Sequence, residues 1–200
     1  MKFYKTAGKR DYVLPLGAEL PCIVYLIDNW DDYNFKTLYH LCLFKKDGDK
    51  EVLGDVKILQ DSNRSTKIPD SFSSLEPEFF SLGQGLEYYE NMRKHLPKTH
   101  RKVLDALNDV VVKPQLLDEI ETSSGFRNSL IRFNEAKLAL RDGLATLEER
   151  PLEKGYKFVY TGEIPGAEAG VSMDVDLQPN DPVPGRIFAI IGRNGVGKTQ

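Results

Sequence analysis

Eight residues have the types and spacing to hold a phosphate group: Gly192-Arg193-Asn194-Gly195-Val196-Gly197-Lys198-Thr199. The pattern G-x-x-x-x-G-K-[ST] is that of a phosphate-cradling loop. Gly192, Gly195 and Gly197 let the backbone curl tightly and, with Asn194 and Val196 between them, aim successive N–H groups at one point, a nest for an anion. Lys198 is placed to reach the β- and γ-phosphates of a nucleoside triphosphate, and the Thr199 hydroxyl to coordinate the nucleotide's Mg²⁺. The run "RIFAIIG" precedes the glycines and reads as a strand covered on both faces, the element such a loop normally follows.

Other chemistry-bearing residues have a structural reading beside the functional one. Asp28, Asp31 and Asp32 in "DNWDDY" are hard oxygen ligands of the kind a divalent cation takes. No further ligand pattern follows them, and they read as a strand-end turn. His40, His95 and His100 have neither metal spacing nor a nucleophile partner, and read as a strand residue and two helix-surface residues. Arg127 and Arg132 in "GFRNSLIRF" lie on or near one helix, where they can meet phosphates, a partner's acids or only solvent. Phe79, Phe80, Tyr88 and Tyr89 in "EPEFFSLGQGLEYYENM" read as core packing of a helical hairpin. Cys22 and Cys42 sit in apolar, strand-like stretches and read as buried reduced thiols rather than a disulfide or metal pair.

These residues need elements to hold them. Over 200 residues the chain is 40% hydrophobic and 28% charged, a globular composition. Its 27 basic and 30 acidic residues leave a net charge of -3, a poor basis for a surface built wholly for nucleic acid. Residues 1–60 read as a β-rich module: "LPCIVYLID", then "FKTLYHLCLF" and "EVLGDVKIL" joined through Asp47-Gly48, a hairpin signal. Residues 61–150 change to helical period. Leu86, Tyr89, Met92 and Leu96 recur at helical spacing, as do Val103, Leu107 and Val110/Val111. Pro114 suits the first turn of a short helix carrying Leu117 and Ile120. Ser123 or Ser124 caps a last helix with Phe126, Leu130, Phe133, Leu140, Leu144 and Leu147 along one stripe. Residues 151–200 return to strands, "YKFVYTG", "VSMDVDL" and "RIFAIIG". The fold class expected is therefore α+β. The longest apolar runs, "CIVYLI" and "IFAII", fall far short of a membrane span, and "MKFYKTAGKRDYV" lacks the apolar core of a signal peptide. A cytoplasmic protein without membrane partners is expected.

"IFAIIGRNGVGKT" resembles the Walker A region of ABC-class ATPases of the SMC, RecF and OLD-nuclease type, usually written G-x-N-G-x-G-K-[ST]. The two upstream strands are similar to the antiparallel subdomain that opens such ATPase heads. "DNWDDYNFKTLYHLCLF", "FFSLGQGLEYYENM" and "GFRNSLIRF" resemble segments of bacterial AAA/ABC-type ATPases, some of the antiphage-defence kind. The resemblance implies ATP and Mg²⁺ as ligands, with residues 151–200 as the start of an ATPase head. It implies also that the signature motif, the Walker B acid with its adjacent Glu, and the switch His lie C-terminal to the loop. The sequence reaches Gln200 before any of them, so residues 1–200 by themselves are expected to hold no catalytic residue and to hydrolyse no ATP. Residues 1–150 are expected to sense or bind a protein partner, or to self-associate. Alternatives are a stand-alone, non-catalytic interaction module and a component of a DNA-binding or repair ATPase.

Overall fold

The computed structural model describes residues 1–60, 63–151, 156–162 and 171–177. Two compact units are present, Met1–Pro151 and Leu152–Gln200, and the fold class is α+β. In the first unit a six-stranded mixed sheet has the order β5-β1-β2-β3-β4-β6. Its strands are β1 (Lys2–Lys5), β2 (Cys22–Ile27), β3 (Leu38–Phe44), β4 (Lys50–Gln60), β5 (Ser71–Phe72) and β6 (Phe79–Gly83). β1 runs parallel to β2, and all other neighbours are antiparallel. The helices are α1 (Leu86–His95), α2 (His100–Ala106), α3 (Leu117–Ile120) and α4 (Asn134–Leu147).

The β3–β4 hairpin forms where the sequence asks for it. Gly48 takes φ 90°, and the Asp47 carboxylate accepts the Asp49 N–H at 3.1 Å, the local chemistry that makes Asp-Gly a turn. Further along, the register shifts between Leu41 and Cys42, opposite Val52 and Gly54. Gly54 supplies φ 119° there, and the bulge turns β4 so that its far half pairs with β6.

Residues 79–83 are a strand and not the first arm of a helical hairpin. "FFSLG" is buried at all five positions, and it gains a ladder partner in β4 that local periodicity does not reveal. The helix begins only at Leu86 and buries Tyr88, Tyr89 and Met92. A Cβ on Gly83 would run into the Tyr88 ring, so the glycine lets the helix lie close over the strand. The last helix also differs from expectation. Ser123 Oγ does accept the Phe126 N–H at 3.1 Å, but it opens only a short π-helical turn, Phe126–Leu130. Phe133 is then extended, with ψ 153°, and α4 begins at Asn134. Its buried face is Ala136, Ala139, Gly143 and Leu147. The small residues among them let the helix approach Tyr89, whose ring lies 3.0 Å from where a Gly143 Cβ would stand. Strands and helices of this unit share one large core, from Phe3 to Leu147.

In the second unit β7 (Tyr156–Gly162) and β8 (Val171–Leu177) form an antiparallel ladder. Val175 is buried while Ser172 and Asp174 face solvent, the alternation of a half-exposed strand.

Candidate functional site

The loop Gly192, Asn194, Gly195, Val196, Gly197, Lys198 and Thr199 lies outside the described residues. Among the described residues, the densest polar construction is a buried ion cluster that carries an exposed aromatic surface. It is built where the chain leaves β2 and turns back into β3. Asp32 and Phe35 exchange backbone hydrogen bonds at 2.9 and 3.0 Å, and the two residues between them, Tyr33 and Asn34, take φ 54° and 73°. Both central residues being left-handed makes this a turn of the kind normally filled by Asn-Gly. Asp31 accepts the Asn34 N–H at 2.5 Å, which fixes the turn.

Asp32 points inward and is 1% exposed. One carboxylate oxygen meets Lys57 Nζ of β4 at 2.5 Å, and the other meets Arg132 Nη1 at 2.6 Å. Trp30 Nε1 donates to the latter oxygen at 3.0 Å and Ser129 Oγ to the former at 3.3 Å. Ser129 also shares a 2.7 Å hydrogen bond with Thr37 Oγ1, and its carbonyl accepts from Lys57 at 2.9 Å. Burial alone would raise the Asp32 carboxyl, but the hydrogen bonds from Lys57, Arg132 and Trp30 outweigh it and hold the group below the usual carboxylate range. Burial, against the pull of Asp32 and with the repulsion of Arg132, draws Lys57 below the usual lysine range. Outside the cluster the Arg132 guanidinium lies over the rings of Tyr33 and Phe133, 4.6 and 5.1 Å from their centroids.

His40 occupies a second polar arrangement. Its Nδ1 is 2.6 Å from Asp55 Oδ1 and its Nε2 3.1 Å from Asp28 Oδ2. The Asp55 hydrogen bond above all, opposed by burial and helped by Asp28, raises its pKa. A carboxylate on each nitrogen favours the protonated imidazole, which suits a clamp between strands better than a general base. Asp55 also lines a hollow of about 580 Å³ beside α1, with Gln84, Glu87, Asn91 and Glu135. A second buried carboxyl besides Asp32, that of Asp109, accepts the Tyr89 hydroxyl at 3.1 Å and the Val111 N–H at 2.9 Å. Burial pushes it up to about 7 despite these donors.

The three aspartates of "DNWDDY" therefore part company: Asp28 serves His40, Asp31 the turn and Asp32 the cluster. Among the described residues no group of three or more His, Cys, Asp or Glu side chains is arranged to hold a metal. His95 lies 3.8 Å from Glu51, and His100 Nδ1 is 3.1 Å from the Leu96 carbonyl. Arg132 joins the cluster while Arg127 is exposed. Phe79, Phe80, Tyr88 and Tyr89 are buried in the core, and Cys22 and Cys42 are buried free thiols. Lys57 is not marked by any motif or spacing in the sequence. A lysine inside the apolar run "VKIL" was its one signal. Among the described residues no helix is long and apolar enough to cross a membrane.

Protein ea59 of Escherichia phage lambda is 30% identical over 177 residues, covering 86% of this chain and 34% of the phage protein. The chain thus spans about a third of that relative's length. No family model and no solved structure matches the chain.

Proposed function

We propose that this chain carries the nucleotide-binding loop of an ATP-hydrolysing ABC-class ATPase, with residues 1–150 as a module that binds a protein partner. The observation that carries the reading is the G-R-N-G-V-G-K-T spacing at 192–199 directly behind the apolar run "IFAII". In such a loop the backbone N–H groups and Lys198 hold the phosphates, and Thr199 holds the Mg²⁺ that neutralises developing charge during phosphoryl transfer. The buried free thiols suit a reducing, cytoplasmic setting. The experiment is ATP hydrolysis by the protein in the full length its gene encodes. Lys198→Ala is expected to abolish turnover, and residues 1–200 alone to show none. Turnover that survives Lys198→Ala removes the proposal.

A second reading, a non-catalytic interaction module, draws on the closed core of Met1–Pro151 and the exposed aromatic side chains on it. Partner binding by a protein that binds no nucleotide would favour it.

A further inference from the structure

The turn after β2 presents large side chains to solvent at some cost. Trp30 and Tyr33 are 53% and 67% exposed there, and Phe133, ahead of α4, is 41% exposed; Tyr33 and Phe133 flank Arg132, and Trp30 shares its Asp32 oxygen. Tyr33 occupies a left-handed position where glycine or asparagine is the favoured residue and a bulky side chain is an outlier. Strain of this kind points to function when the fold itself would be served as well by a smaller residue. Trp, Tyr and Arg are the residues that dominate the energetics of protein interfaces.

The charge beneath the surface is unbalanced. Among the described residues Asp32 is the one carboxylate paired with either Lys57 or Arg132, so one anion faces two cations. Arg132 spends one N–H on Asp32 and has further donors in its fork. Its side chain is 28% exposed, and the rings of Tyr33 and Phe133 flank it. The Trp30 N–H is already given to Asp32, which leaves the indole face as an apolar platform. Such a site calls for one external anion between apolar groups. A nucleic-acid strand would supply anions and stacking bases, but Asp28 and Asp31 lie on the same connection and the chain is net acidic, which disfavours a polyanion. A single carboxylate held at Arg132 meets less of that repulsion than a chain of phosphates does.

We infer that the Trp30–Tyr33–Arg132–Phe133 surface docks a protein partner through a segment that presents a carboxylate to Arg132, flanked by aromatic or aliphatic side chains. This rests on reading residues 1–150 as a partner-binding module. It does not depend on nucleotide binding at Lys198, so loss of ATP binding and loss of docking are separate results.

The test is selection of displayed random peptides against the 200-residue chain, followed by titration of synthesised, tryptophan-free winners. Trp30 is the sole tryptophan of the chain, so its emission reports binding at the surface. The winners are expected to carry Asp or Glu beside Phe, Tyr or Leu and to shift the Trp30 emission. They should lose affinity about tenfold or more with Arg132→Gln and with Tyr33→Gly, a loss typical of an interface anchor. Arg127→Gln, at an exposed neighbour, should leave affinity unchanged. Tyr33→Gly suits the left-handed backbone, so it keeps the fold and separates docking from stability; melting curves of both variants verify this. The inference is overturned if no peptide is enriched, if the winners lack an acid, or if they bind Arg132→Gln as they bind wild type. It is overturned also if Arg132 is needed instead for binding a short oligothymidylate or for self-association in sedimentation.

Discussion

Asp32→Asn should be the most damaging single change in the ion cluster, and Lys57→Met a much milder one. Asparagine removes the one anion that the described residues place in the cluster and leaves Lys57, 2% exposed, and Arg132 facing each other. Stranding a buried charge in this way costs about 3–5 kcal/mol, or a melting shift of roughly 6–20 °C for a unit of this size. Methionine at 57 leaves Asp32 with Arg132, Trp30 and Ser129 as donors and brings the cluster to neutrality. What is lost is the hydrogen bond to the Ser129 carbonyl and one ion contact, a cost of under about 2 kcal/mol. Urea unfolding followed by Trp30 emission reads both, because the indole donates to Asp32 itself. The depressed Asp32 carboxyl contributes stability above its unfolded pKa, lost as pH falls through its folded one. That acid-side loss should be reduced in Asp32→Asn. A Lys57→Met variant as unstable as Asp32→Asn would refute the charge count on which the cluster is read.

Asp109 predicts the opposite pH dependence. With its carboxyl raised from 3.8 to about 7 by burial, the folded chain keeps a proton that the unfolded chain gives up, so stability falls as pH rises across that window. Asp109→Asn should flatten the slope in urea titrations run from acid to neutral pH. Gly83→Ala drives a methyl into the buried Tyr88 ring and should cost about 1–3 kcal/mol with an unchanged urea m-value. Tyr33→Gly gives up a ring contact with Arg132 but relieves a left-handed tyrosine. It should therefore move stability by less than about 1 kcal/mol in thermal melts, whereas Tyr33→Val at the same φ should be clearly worse.

Elements whose cause is local were legible in the sequence. Asp47-Gly48 makes its own turn, the polar residue after each apolar run ends β2 and β3, and the alternation in "VSMDVDL" marks β8. β1 and β6 were not legible, because "KFYK" becomes a strand through a parallel partner twenty residues away and "FFSLG" through pairing with β4. On α4 the expected Leu147 is buried and Leu140 and Leu144 pack against the core, but Ala136, Ala139 and Gly143 were not legible, because they carry little hydrophobic signal while close approach demands that they be small. The ion cluster illustrates the same limit. Asp32 and Arg132 stand out individually, yet they lie 100 residues apart, and only the fold brings Lys57 between them.

The most direct measurement is equilibrium binding of a fluorescent ATP analogue, with Mg²⁺, to the protein in the full length its gene encodes. The account predicts saturable binding competed by ATP and weakened at least about tenfold by Lys198→Ala, the loss expected when the lysine that reaches the β- and γ-phosphates is removed. Binding of equal strength in wild type and Lys198→Ala, or none in wild type, would contradict it.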